Sequence, residues 1–110
     1  MHHKDLEAWK LLMDLVIKIY KITKCFPENE EFALTSQIRR AAISIPSNIA
    51  EGCGRGSDKD TLRFLDIALG SSAELETQLL IVQALEYSNV QDILIDLDKI
   101  NALIYGLKNI

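Results

Sequence analysis

Apolar residues recur every three to four positions through most of the chain, and no stretch alternates long enough to suggest a strand. The pattern divides into four helical segments. The first runs from about Asp5 to Lys24. Trp9, Leu12, Met13, Val16, Tyr20 and Thr23 share one face, with Ile19 at its edge. Leu11, Leu15 and Ile22 form a second apolar strip, and Lys10, Asp14, Lys18 and Lys21 lie opposite. Cys25-Phe26-Pro27 ends this helix, because the residue before a proline avoids helical geometry. Glu28 to Leu34 is a connector with room for one helical turn, and Phe32 and Leu34 are expected to pin it to the core.

The second helix spans Ser36 to about Gly52, with Thr35 as its expected N-cap. Ile38, Ala41, Ala42, Ile45 and Ile49 make a narrow apolar face that Gly52 and Cys53 continue. Arg40, Ser44, Ser47 and Glu51 lie opposite. Between them runs a third strip, Arg39, Ile43, Pro46 and Ala50, which puts Pro46 off the core face. A proline inside a helix costs about 3 kcal/mol. Either it bends a core helix, with a Ser44 or Ser47 hydroxyl bonding the carbonyl it frees, or its strip faces a partner. Gly52 suits a left-handed helix end, and Gly52-Cys53-Gly54-Arg55-Gly56 reads as a tight turn. No Gly-Lys-Ser/Thr follows and no strand precedes it, which excludes a P-loop and a dinucleotide fingerprint.

Ser57 opens the third helix, with Asp60 in a capping-box variant, and the helix runs to about Glu86. Phe64, Ala68, Ser71, Leu75, Leu79 and Val82 form one stripe; Leu62, Leu65, Leu69, Ala73 and Leu80 form another. Ser88 and Gln91 suggest a capping box for the fourth helix, where Val90, Ile93, Leu94, Leu97, Ile100, Ile104 and Leu107 make a single stripe. Short connections between four helices predict an all-α, up-down-up-down antiparallel four-helix bundle with a proline-containing second helix, in a single domain over 1–110.

Composition supports that reading. A chain of 110 residues with 48% hydrophobic content has material for a core. The net charge of -4 is uneven: residues 35–63 carry five Lys/Arg against three Asp/Glu, residues 64–110 two against seven. Nucleic acid therefore has only a local patch to meet. Cys25 and Cys53 match no metal spacing and are expected to be reduced and packed. No apolar run approaches the roughly 20 residues of a membrane span. Met1-His2-His3-Lys4 shows no signal-peptide pattern, so the expected location is cytoplasmic, without membrane partners.

Little catalytic chemistry is in view. His2 and His3 are the only histidines, no Glu-x-x-His pair exists, and Glu74 and Glu76 point to different helix faces. The expectation is no enzyme, no metal and no cofactor. The candidate binding residues are Arg39, Arg40, Arg55, Lys59 and Arg63, read as one basic surface around the turn between the second and third helices. The plainer reading is a solvated surface in which Arg40 pairs with Glu51, Lys59 and Arg63 are merely exposed, and Asn48 bonds locally.

Leu34-Thr35-Ser36-Gln37-Ile38-Arg39-Arg40-Ala41-Ala42, Ser44-Ile45-Pro46-Ser47-Asn48-Ile49-Ala50-Glu51-Gly52, Arg63-Phe64-Leu65, Gly70-Ser71 and Glu76-Thr77 resemble the four-helix bundle proteins encoded within intervening sequences of bacterial 23S ribosomal RNA genes. The resemblance covers essentially the whole chain. The family name records where the genes lie. The resemblance implies a four-helix bundle that assembles into a ring, a homopentamer being favoured. It places the oligomer interface on the extra apolar strips: Ile43, Pro46, Ala50, Leu62, Leu65, Leu69 and Ala73. The family is similar in fold to the accessory variability determinant of diversity-generating retroelements, which binds nucleic acid and a reverse transcriptase through a basic surface. That likeness implies weak RNA or DNA binding through Arg39, Arg40, Arg55, Lys59 and Arg63. The alternative it leaves is a protein–protein adaptor ring with no nucleic-acid role.

Overall fold

The computed structural model describes residues 1–109. Four helices carry the fold: α1 (Glu7–Thr23), α2 (Ser36–Gly54), α3 (Asp58–Ala84) and α4 (Gln91–Lys108), with no strand among the described residues. α1 packs on α2, α2 on α3, α3 on α4, and α4 closes back on α1. This cyclic order, the short connections and the 43 × 24 × 19 Å extents are those of a four-helix bundle.

The core is one layer of aliphatic side chains between the helices. α4 contributes Ile93, Leu97, Ile100 and Ile104, as its single stripe predicts. α3 contributes Phe64, Leu65, Ala68, Leu75, Leu79 and Val82. α1 differs from expectation. Its buried residues are Ala8, Leu12, Leu15, Ile19 and Thr23, whereas Met13 is exposed and Trp9, Val16 and Tyr20 are half-buried. The physical reason is that α1 carries two apolar strips. Its inward line falls between them, and the expected face turns toward α2.

The connector after α1 is more helical than the single turn for which the sequence leaves room. A 3-10 turn at Glu28–Glu30 runs into a π-helical turn at Glu31–Thr35 and directly into α2. Thr35 is therefore helical and makes no capping hydrogen bond, contrary to its expected N-cap role. Phe32 is 92% exposed and pins nothing. Leu34 does pack against the core, and the second pin is Phe26, buried against Tyr87 with ring centroids 5.7 Å apart. The Tyr87 hydroxyl donates to Glu30 Oε2 at 2.8 Å, and that bond pushes the phenol above its ordinary range. Cys53 is half-buried, but Cys25 is exposed rather than packed; both are free thiols.

Ser57 caps α3 as expected, its Oγ accepting from the Asp60 backbone N–H at 3.2 Å. α3 ends in a Schellman arrangement: Tyr87 N–H donates to the Val82 carbonyl and Glu86 N–H to that of Gln83. Glu86 holds φ 61°, a left-handed conformation that glycine adopts without strain. Glu86→Gly should raise stability by about 1 kcal/mol in urea unfolding; a loss would show that its side chain contributes more than its backbone strain costs. Ser88 does not cap α4. Val90 occupies the cap position, fully buried, and Asn89 Oδ1 accepts the Gln91 N–H at 3.1 Å instead.

Candidate functional site

Pro46 lies inside α2, and it is buried, not off the core face. It lines a shallow groove between α1 and α2 with Trp9, Met13, Val16, Ile43, Ser47 and Ala50. Asn48 bonds locally, as expected: its Nδ2 donates to the Ser44 carbonyl at 2.8 Å. The Ser44 hydroxyl does not serve the carbonyl freed by Pro46. It pairs with Ser71 Oγ at 2.8 Å and accepts from Asn48 Nδ2 at 2.9 Å, tying α2 to α3. One residue on, buried Ser72 donates to Asn101 Oδ1 of α4 at 2.6 Å. The small residues of α3 thus place two hydroxyls toward two different neighbours.

Gly52 is helical and no described glycine has positive φ, so it is not a left-handed cap. It marks a close crossing. A Cβ there would stand 2.8 Å from Phe64 Cβ, and Thr61 Oγ1 donates to the Gly52 carbonyl at 2.8 Å. The turn proper is residues 55–57.

The five basic candidates separate into two groups. Arg55 and Arg63 meet at that crossing, their guanidinium carbons 5.0 and 4.8 Å from the Phe64 ring centroid. Lys59 lies one turn before Arg63 and is exposed. Arg55 pairs with Glu51 at 2.8 Å, so Glu51 takes Arg55 in place of the expected Arg40. Arg39 and Arg40 lie near the other end of α2. Arg39 is committed to α1: its Nε donates to Thr23 Oγ1 at 2.9 Å, and its guanidinium sits 4.5 Å from the Tyr20 ring centroid. Arg40 is exposed. Five residues expected to make one surface therefore make two. Tyr20 and Phe64, the rings beneath the arginines, are site residues beyond the sequence expectation; Phe64 adjoins Arg63 in the chain, whereas no local spacing links Tyr20 to Arg39.

The apolar candidates also divide. Leu65 is fully buried and belongs to the core of its own chain, as Pro46 does by packing beside α1. Leu69 is half-buried against the core and Ala50 half-buried, whereas Ile43, Leu62 and Ala73 are exposed. On the α1–α4 side, Lys18 donates to Asp96 Oδ2 at 2.9 Å across a hollow walled by Leu11, Leu15, Ile17 and Ile100; that bond raises the Lys18 pKa.

No described helix is long and apolar enough to cross a membrane. The helices and their pairing define an all-α bundle protein. Residues 4–106 match the 23S rRNA-intervening sequence protein family, and the chain belongs to that family. A comparison with curated proteins returns no match. Among solved structures, the chain is similar to a protein of unknown function from the S23 ribosomal protein family of Bacteroides thetaiotaomicron VPI-5482. The two are 27% identical, with 94% of this chain and 99% of that chain covered and a TM-score of 0.85.

Proposed function

We propose that this chain is a non-enzymatic, homo-oligomeric helical-bundle protein whose outer faces, not a pocket, carry its role. A ring of five is the assembly the family resemblance favours. The carrying observation is that large apolar side chains stay exposed in clusters rather than singly. Met13 and Ile43 are 40% and 42% exposed beside the same α1–α2 groove, and Leu80 and Ile95 are 51% and 45% exposed beside one α3–α4 hollow. Clusters of this kind mark interaction surfaces. Two free cysteines suit a reducing compartment, in keeping with a cytoplasmic protein. A native mass spectrum at low salt tests the reading: masses at a multiple of 12.4 kDa are expected, and a bare monomer at all concentrations removes it.

A second reading adds RNA or DNA contact through Arg55, Lys59 and Arg63. What favours it is the pair of arginines held on Phe64. Against it, Glu51, Asp58 and Asp60 balance the three positive charges. Replacing Arg55, Lys59 and Arg63 together with alanine should weaken binding to structured RNA and flatten its salt slope by roughly two to three. An unchanged slope would leave the protein-adaptor reading in possession of this surface.

A further inference from the structure

We propose that the hollows flanking the π-helical turn bind an apolar dipeptide, its ammonium held by Glu31, its amide by Thr35 and its carboxylate by Arg39. The site lies within a single chain. It adds a ligand to the bundle and does not rest on the self-association reading above.

Thr35 differs from every other threonine of the chain. Thr23, Thr61 and Thr77 each donate from Oγ1 to the carbonyl four residues earlier, at 2.8, 3.1 and 2.9 Å. That local bond is how a helix satisfies a threonine. Thr35 is 5% exposed, and its hydroxyl has no hydrogen-bond partner among the described residues. The π-helical turn Glu31–Thr35 makes the difference, because widening the turn takes the Glu31 carbonyl out of its α-helical register. An unmet buried hydroxyl is costly, and single π-turns recur at functional sites. Threonine has two χ1 wells open to it in a helix. With ligand bound, Thr35 takes the well that turns its hydroxyl to the hollows it lines.

Two hollows meet at this residue. One, of about 580 Å³, has Tyr20 and Phe32 in its wall; the other, of about 570 Å³, has Phe26 and Pro27. Glu31, Thr35 and Arg39 line both. Standing four residues apart, they follow one helix face in the order carboxylate, hydroxyl, guanidinium. A dipeptide presents the matching order of ammonium, amide and carboxylate. Glu31 and Arg39 are two turns apart, roughly 12 Å along the axis. The charges of one amino acid stand on a single carbon and meet both poorly; those of a dipeptide are an amide further apart. Side chains on an extended backbone point to opposite sides, so the two of a dipeptide fall one in each hollow. One of them covers Phe32, which is 92% exposed.

The charged ends are ready for such a ligand. Arg39 is half-buried, its Nε on Thr23 Oγ1 and its Nη2 toward the Tyr20 carbonyl, which fixes the guanidinium and leaves Nη1 without a partner among the described residues. Glu31 is exposed and in no ion pair among the described residues. Lys24, Glu28 and Arg40 stand at the rims. The site therefore carries both signs, which complements a zwitterion and not a simple anion.

Equilibrium dialysis of the full chain against leucyl-phenylalanine tests the site. Saturable binding is expected, with N-acetyl-leucyl-phenylalanine and leucyl-phenylalanine amide each held about tenfold more weakly, because each lacks one charge. Thr35→Val keeps the side-chain shape and removes the unmet hydroxyl. It should raise the midpoint of urea unfolding yet weaken the dipeptide about fivefold, a combination that a purely structural threonine does not give. Glu31→Gln, at an exposed position, should weaken leucyl-phenylalanine and leave the acetylated form unchanged. The inference fails if no binding saturates, if either capped form or free phenylalanine binds as tightly as the dipeptide, or if Thr35→Val leaves the affinity unchanged.

Discussion

Gly52→Val is expected to destabilise the fold by about 3 kcal/mol, and Gly52→Ala by about 1–2 kcal/mol. Alanine is ordinarily the better helix residue, by about 1 kcal/mol. Here that gain is overridden. The added Cβ would meet Phe64 Cβ at 2.8 Å and the Thr61 carbonyl at 3.3 Å, and neither is the free end of a flexible side chain. α2 and α3 cannot separate locally to relieve the clash, because Thr61 Oγ1 holds the Gly52 carbonyl at 2.8 Å. Gly70 is the internal control. It too is helical, but a Cβ there meets nothing within 4 Å. Gly70→Ala should therefore stabilise by about 1 kcal/mol, close to the full propensity difference. Urea unfolding at one fixed protein concentration reads both changes. If the two alanine variants shift stability in the same direction and by similar amounts, the α2–α3 crossing is looser than these distances indicate. Because Phe64 also carries the guanidiniums of Arg55 and Arg63, disturbing the crossing should disturb that cluster as well.

Legibility in the sequence follows how the apolar positions of each helix are divided. α4 carries a single stripe, and its buried residues lie on that stripe. α1 carries two strips, and periodicity alone does not say whether the core lies under one of them or between them; Leu15 and Ile19 became core while Met13 faced outward. α3 divides the same way: Leu65 went to the core, and Leu62 and Leu80 remained outside. Breakers were legible where chemistry dictates them, at Cys25-Phe26-Pro27 and at Ser57. Between them the chain takes a π-helical turn, a backbone state with no short sequence signature, which makes Thr35 helical and turns Phe32 outward.

The separation of the basic residues is legible in their numbering. Arg39 and Arg55 are sixteen positions apart, and on one helix a rise of 1.5 Å per residue puts them roughly 24 Å apart. What the sequence does not carry is which rings lie beneath them. Tyr20 meets Arg39, and Phe64 meets Arg55, through packing between elements, whereas Arg63 is the chain neighbour of Phe64 on α3. The same packing turned Pro46 inward. A helix that has lost one backbone donor gains burial against α1 at that position, and Ile43, one turn earlier, is left exposed beside the α1–α2 groove.

Arg39→Ala is expected to lower stability by about 2 kcal/mol, whereas Arg40→Ala, its neighbour, should stay within roughly 0.5 kcal/mol of the unaltered chain. Arg39 bridges α2 to α1 through a charged hydrogen bond to Thr23 Oγ1 at 2.9 Å, and its guanidinium covers the Tyr20 ring at 4.5 Å. Thr23 is itself buried, its hydroxyl donating to the Ile19 carbonyl at 2.8 Å. Loss of the guanidinium therefore removes a partner from a buried hydroxyl and a cation from a ring. Arg39→Lys should recover less than half of the loss, since an ammonium lacks the planar fork that meets hydroxyl and ring together. Arg40 has no hydrogen-bond or ion-pair partner among the described residues, which leaves its charge free for a partner or for a phosphate. Any fall in RNA binding on losing Arg39 would then arrive with a lower Tm, and the same fall on losing Arg40 would not. Thermal unfolding of the two alanine variants, run beside RNA binding at matched salt, separates the roles. Equal Tm values would mean that Arg39 is not held by α1, and both arginines would then belong to one free basic face.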